Sequence, residues 1–290
     1  MKPFMEDGPQ MKNSIIINDV EIHLRQPDTT DTNWIGQREV HRLLAAALLR
    51  IHENDRAMTP VLIGSPGCGK TTLACTVAQE FNQPVYIVNC TSDMRPEDLL
   101  VIPVISSDQK ILYRGSSLVS AMVSGGLCVL DEANRMNEKA WASLASLLDH
   151  RRYVESGAAG VKIPAHREFR LVATMNEDSS TYNIPEYIAS RLKPIIPVEV
   201  PRPDDLKAII CSQMPFIPEE LVESVVHYLV EKKESGEIRE YSIRDAVEIT
   251  RFARKLSLKE TVPVDTVARK ILTIHEAKKI PLKPDNALYL

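Results

Sequence analysis

The sequence predicts an α/β domain, with buried strands alternating with helices, followed by an all-helical region. Three observations carry this. Short apolar runs recur at 60–63, 84–89, 127–130, 169–174 and 195–200. They are continuous rather than alternating, as strands covered on both faces require. A glycine-rich stretch follows the first run and opens a helical pattern. From residue 204 onward only helical patterns remain, at about 204–213, 218–234, 242–256 and 263–278.

Residues 1–13 read as a loose leader. Residues 14–24 have strand composition with a turn at Asn18-Asp19, and 26–33 are a polar linker. Ile35-Gly36-Gln37 then precedes a helix from about 38 to 53, apolar at 40, 43, 44, 47, 48 and 51. That spacing makes one helix face. The helix is either plain packing or, with Ile35 and Gly36, a support for an adenine ring.

The stretch Gly64-Ser65-Pro66-Gly67-Cys68-Gly69-Lys70-Thr71 reads G-x-x-x-x-G-K-[ST]. A strand before it and a helix at about 72–81 supply the context that this phosphate-binding motif needs. Glycines let backbone N–H groups wrap around phosphate oxygens, and the helix N-terminus adds partial positive charge. In such a loop Lys70 reaches the β- and γ-phosphates of ATP, and the Thr71 hydroxyl binds Mg²⁺. We assign Gly64, Ser65, Pro66, Gly67, Cys68, Gly69, Lys70, Thr71 and Thr72 to the nucleotide. A bare strand-to-helix turn has no need of Lys followed by Thr.

The second run, 84–89, leads through Cys90-Thr91-Ser92-Asp93 into a short helix. Residues 101–113, split by Ser106-Ser107-Asp108-Gln109-Lys110, predict a surface hairpin, and 115–124 a short helix. The run 127–130 ends in Asp131-Glu132. In α/β sheets ligands gather at the carboxyl ends of strands. There Asp131 would hold Mg²⁺, through water, and Glu132 would take a proton from the attacking water. Two acids capping a helix are the plainer use of such a pair; their company with residues 64–71 points to catalysis.

Helix 137–150 and a hairpin at 153–163 follow. The run 169–174 ends at Met175-Asn176, where Asn176 is placed to orient a water or to hold its own loop. Residues 184–192 form a short helix ending in Arg191. Pro197 puts the fifth strand at a sheet edge. The shift in composition at Val200-Pro201-Arg202-Pro203 marks a boundary. This gives an N-terminal leader and hairpin at 1–33, a core at 34–200 and a helical region at 201–290.

Composition narrows the class. At 290 residues, 44% hydrophobic and 26% charged, the chain is ordinary for a globular protein. It shows no membrane-span run and no signal-peptide pattern. Five cysteines without a CxxC pair indicate reduced thiols and a cytoplasmic protein. A net charge of −4 argues against a generally basic nucleic-acid surface. The seven histidines show no ligand spacing.

Together these motifs resemble the AAA+ ATPases, most closely the MoxR-type branch, over roughly 35–257. Gly64–Thr71 resembles Walker A and 127–132 Walker B. Asp131-Glu132-Ala133-Asn134-Arg135 is similar to the family's D-E-x-N-R. Ala173-Thr174-Met175-Asn176 resembles sensor 1, and Tyr241-Ser242-Ile243-Arg244-Asp245 sensor 2. The resemblance implies a P-loop NTPase αβα sandwich with a five-stranded parallel sheet and a small all-helical lid. It implies Arg191 as an arginine finger toward a neighbouring subunit's ATP, and Arg244 as a lid sensor of the γ-phosphate. It further implies a homo-oligomeric ring, a hexamer, that remodels a protein partner with a von Willebrand A-type domain. Where such proteins carry Gly, this chain has Val101; where they carry Asp-Arg-Phe, it has Ser190-Arg191-Leu192. These departures are closer to dynein- and McrB-like ATPases, which makes a nucleic-acid-associated motor or restriction subunit the alternative. No aromatic–apolar–Gly pore loop is present.

Overall fold

The computed structural model describes residues 13–30, 32–177, 184–238 and 240–258. The expected helix at 263–278 and residues 1–12 of the 1–13 leader lie outside them. Along the chain run β1 (Ser14–Ile17), β2 (Val20–His23), α1 (Arg38–Leu48), β3 (Val61–Gly64), α2 (Lys70–Glu80), β4 (Val85–Asn89) and α3 (Pro96–Leu99). Then come β5 (Val101–Ile105), β6 (Ile111–Gly115), α4 (Ser117–Ser124), β7 (Leu127–Asp131), α5 (Glu138–Ser143), α6 (Ala145–Leu148), β8 (Tyr153–Ser156) and β9 (Val161–Pro164). They are followed by β10 (Arg170–Asn176), α7 (Glu186–Ala189) and β11 (Ile195–Pro197), and after these by α8 (Pro203–Gln213), α9 (Glu219–Glu234) and α10 (Ile243–Ser257). The chain divides into two units between Glu199 and Val200.

In the first unit the five apolar runs form one all-parallel sheet, ordered β11-β3-β10-β7-β4. The expected α/β fold with a five-stranded parallel sheet is therefore present, with the proline-containing strand at an edge. In four of the five runs alternate residues enter opposite cores; in the edge run the buried Ile196 and Val198 share one face and Ile195 is exposed. Leu127 and Val129 of β7 join Leu62, Leu73, Val77 and Val172 on one face. Cys128 and Leu130 join Tyr86, Val88, Leu171 and Ala173 on the other. With both faces covered, a strand has no polar side to show, hence the unbroken apolar runs. Each such buried Leu or Val contributes about 1.5–3 kcal/mol.

Register decides where the strands end together. Asn176 pairs with Gly64, Ala173 with Leu130, and Asn89 with Asp131. The glycine-rich loop, the two acids and Asn176 thus leave the sheet at one edge.

The N-terminal hairpin does not stand apart from this unit. β2 pairs in parallel with β6, giving a four-stranded sheet β1-β2-β6-β5, and Ile22 is fully buried. The insert hairpin expected on the surface is therefore supported along one side, while its tip is exposed at Ile105 (75%) and Ile111 (63%).

Three helices fall short of their patterns or break within them; α7 keeps only Glu186–Ala189 of the expected 184–192. α1 stops at Leu48, not 53, because Arg170 Nε donates to the Leu48 carbonyl at 2.7 Å, closing the helix end. Arg50 then holds the Asp55 and Glu53 carbonyls at 3.0 and 2.8 Å, and Ile51 faces solvent. The single helix at 137–150 breaks at Leu144. The Ser143 hydroxyl donates to the Ala140 carbonyl at 2.7 Å, and Leu144 N and Leu147 N donate to Trp141 O and Leu144 O in tighter i→i+3 turns.

Among the described residues of the second unit the regular elements are all helices. α8, α9 and α10 enclose Leu206, Ile210, Val222, Val225, Leu229, Ala246, Ile249 and Ala253. Ser242 caps α10, its Oγ accepting from Asp245 N at 3.0 Å. Lys207 pairs with Glu219 at 2.7 Å and Glu223 at 2.5 Å, which raises its pKa. No described helix is long and apolar enough to cross a membrane.

Candidate nucleotide-binding site

The loop between β3 and α2 needs its glycines. Gly67 (φ 77°) and Gly69 (φ 97°) sit in the left-handed region that side chains disfavour. Gly64 is needed for space: a Cβ there would lie 2.2 Å from the Val198 carbonyl oxygen. Lys70 opens α2 and turns back beneath the loop. Its buried ammonium donates to Gly64 O (2.8 Å), Ser65 O (2.9 Å) and Asn176 Oδ1 (2.9 Å), with Cys68 Sγ at 3.8 Å. Among the described residues no carboxylate pairs with it. A buried cation held only by dipoles suits an incoming anion.

The next residue reaches the acids. Thr71 Oγ1 donates to Asp131 Oδ1 at 2.7 Å. A hydroxyl and a carboxylate in contact are the hard oxygen donors that Mg²⁺ takes. Thr72 lies half-buried in the same first turn, its carbonyl accepting from Thr76 Oγ1 at 3.0 Å.

Glu132 follows β7 with φ 55° and ψ 41°, left-handed for a residue with a side chain. Its backbone N–H donates to Thr174 Oγ1 at 3.1 Å, and Thr174 Oγ1 donates to Asp131 Oδ1 at 2.6 Å. Asn176 Nδ2 donates to Glu132 Oε1 at 3.1 Å, and Asn134 Nδ2 to the Asn176 carbonyl at 3.0 Å. Arg135 Nε meets Glu132 Oε2 at 2.5 Å. Asn89, Cys90, Thr91, Ser92, Asp131, Glu132 and Arg135 line a cleft of about 320 Å³. Burial, then the charges of Asp131 and Glu132, push the Cys90 thiol up to about 12. Burial also raises Cys68, against the pull of Lys70.

The structure thus gathers Lys70, Thr71, Asp131, Glu132 and Asn176 into one bonded group. Ile35 and Gly36 stand just before Gln37 in the chain. Gln37 bonds Glu199 through both its amide groups, at 2.8 and 3.2 Å, one residue beyond the Val198 that abuts Gly64. Arg191 is elsewhere: its guanidinium donates to Tyr187 O and lies 3.9 Å from Asp149. Arg244 is exposed in the first turn of α10, in the second unit.

Sequence reasoning names Thr174 only within the sensor 1 likeness and gives no role to its hydroxyl, which joins both acids. Its signal is a Thr two residues before Asn176 on an otherwise apolar strand, hence on the same strand face. Asn134 and Arg135 fall within the D-E-x-N-R likeness, which by itself assigns them no contact.

Comparisons with known proteins agree with this geometry. Residues 60–192 match the AAA domain of the dynein-related subfamily. An uncharacterized protein of Staphylococcus epidermidis is 28% identical over 75% of this chain and 84% of its own length. One from Staphylococcus saprophyticus is 25% identical over 80% and 90%. Among solved structures, a point mutant of RuvB from Thermotoga maritima superposes with a TM-score of 0.57 at 19% identity, over 83% of this chain and 70% of that one. NtrX of Brucella abortus, in complex with ADP, gives 0.54 at 16% identity, over 78% and 51%. These structures share the fold. With the glycine loop, the acids and Asn176 at one end of the sheet, the chain has a P-loop NTPase fold, and residues 60–192 of it are similar to AAA domains of the dynein-related subfamily.

Proposed function

We propose that this chain binds Mg·ATP at the Gly64–Thr72 loop and hydrolyses it, in the manner of MoxR-type AAA+ proteins. One observation carries the reading: Asn176 bonds Lys70 with its carbonyl and Glu132 with its amide. A single side chain thereby spans the phosphate-binding cation and the proposed base. Lys70 neutralises phosphate charge, and Thr71 with Asp131 would hold Mg²⁺, which supplies further positive charge at the phosphates. Glu132 takes the proton of the attacking water. Arg191 completes the site of the next protomer in a ring, a cation worth roughly 10³–10⁵ in rate in related chemistry. Arg244 reports the γ-phosphate from the lid.

In this reading hydrolysis drives the remodelling of a protein partner, with a von Willebrand A-type domain as the candidate class. Turnover and nucleotide binding, measured separately, test it. Glu132→Gln should retain ATP binding and lose turnover; Lys70→Ala should lose binding. Full turnover in Glu132→Gln, or unchanged affinity in Lys70→Ala, refutes the assignment. Turnover stimulated by DNA with a steep salt dependence would point instead to a nucleic-acid motor.

A further inference from the structure

A second cluster of charge lies at the opposite end of the sheet from the nucleotide loop. Arg170 opens β10, which closes at Asn176, six residue steps or roughly 20 Å away. The loop 49–58 runs on from the α1 end that Arg170 caps. Its shape is fixed: Arg50 Nε donates to the Asp55 carbonyl at 3.0 Å, and Met58 N to the Ala47 carbonyl at 2.9 Å. On this loop Leu49 and Met58 are half exposed and Ile51 is 82% exposed. Two nearby carboxylates are already engaged, Glu168 by Arg50 and Arg170, and Asp55 by the Ile51 N–H at 3.0 Å. Arg152 is not matched in this way. Its guanidinium lies over the Phe169 ring, 5.2 Å from the centroid, and donates to the Phe169 carbonyl at 2.9 Å. Its backbone is left-handed, with φ 52°. Among the described residues no carboxylate pairs with it or with the exposed Arg56. Burial, then the charges of Arg56 and Arg50, pull the pKa of Arg152 down to about 10. A half-buried cation beside other cations lacks a counter-charge.

We propose that the loop 49–58 and Arg152 form a docking surface for a protein partner, one that presents a segment of carboxylates interleaved with apolar side chains. The carboxylates meet Arg56 and Arg152, whose planar forks match two carboxylate oxygens. The apolar side chains cover Leu49, Ile51 and Met58. These three decide between a protein and a nucleic acid. Leu, Ile and Met add nothing to phosphate contacts, which Lys and Arg make. Beside guanidiniums they have the make-up of a protein interface, where Met and Arg are enriched around an apolar centre. Exposed apolar side chains rimmed by charge are the kind of surface that such partners cover. The surface shares no residue with the nucleotide site.

The probe is a fluorescein-labelled peptide of four Glu-Glu-Leu repeats, titrated with the full chain and followed by fluorescence anisotropy, with melting and sedimentation of each variant. Wild type should bind this peptide, and bind a Glu-Glu-Ser counterpart more weakly. Arg56→Glu should weaken binding about tenfold by setting like charges together. Ile51→Ser should weaken it severalfold. Both side chains are exposed, so both variants should melt like wild type. Lys110→Glu, the same change of charge at the exposed tip of the insert hairpin, should leave affinity unchanged. No binding by wild type up to about 1 mM, an equal loss in Lys110→Glu, or no loss in Arg56→Glu overturns the proposal. A short oligothymidylate that binds more tightly than the peptide, and loses affinity in Arg56→Glu, also overturns it and makes the surface a nucleic-acid site. A fall in the protein's own oligomeric mass in Arg56→Glu overturns it in favour of a contact between copies of this chain.

Discussion

Thr71 donates its hydroxyl proton to Asp131 at 2.7 Å across 60 residues of chain. One residue lies in the first turn of the helix after β3, the other closes β7, and β10 lies between those strands. Their contact is a product of register: Gly64 aligns with Asn176, and Leu130 with Ala173. A slip of one residue in either pairing would part the loop from the acids.

Thr174→Val tests the hydroxyl that joins both acids. Valine keeps the shape but removes the bond to Asp131 and the acceptor for Glu132 N–H. An unsatisfied buried donor costs about 1–3 kcal/mol. Thermal melting should show that loss. Turnover should fall about tenfold, the effect of a shift near 1.4 kcal/mol in the barrier, with ATP affinity little changed.

Gly64→Ala should destabilise the unit without removing any functional group. The added methyl meets a backbone carbonyl at 2.2 Å, so β3 or the segment at Val198 must move. Overpacking of this kind costs about 1–3 kcal/mol, readable as a lower urea midpoint. An unchanged midpoint would mean that the two segments part easily.

Asp149 gives a pH dependence with a definite sign. Hydrogen bonds from Arg151 hold its carboxyl down from 3.8 to about 2. Its contribution to stability is therefore present above pH 3.8 and disappears as the pH falls through about 2. The stability difference between wild type and Asp149→Asn should be constant near neutrality and vanish below that window in denaturant titrations.

Thiol reactivity separates the cysteines. Burial raises Cys75 to about 11 and Cys90 to about 12, lifts Cys68, and raises Cys128 well above its usual range. Cys211 is the one cysteine of the five not fully buried. At about pH 8 iodoacetamide should label Cys211 first and the other four only on unfolding, as peptide mass mapping would show.

The strands were legible because burial on both faces leaves no polar positions, as in Leu127–Leu130. The loop and the acids were legible because phosphate and metal chemistry demand particular side chains. What escaped the sequence depended on distant partners. Nothing local announces that Arg170 will cap the Leu48 carbonyl and end α1 early. Nothing near Val20–His23 names β6 as its neighbour. Thr174 looks like one more strand residue until Asp131 and Glu132 are placed beside it. Arg191 has the right position in the chain for a finger, yet within a single chain it folds back onto Tyr187 and Asp149.

The seam between β2 and β6 bears on how the protein is handled in the laboratory. Trimming the chain back to residue 24 would strip one flank of the insert and bare a row of backbone amides and carbonyls, an invitation for copies to stick edge to edge. Fusion partners fitted ahead of Ser14 call for a cleavable spacer, and a truncated version that clumps would be reporting that missing flank rather than a failing of the five-stranded core.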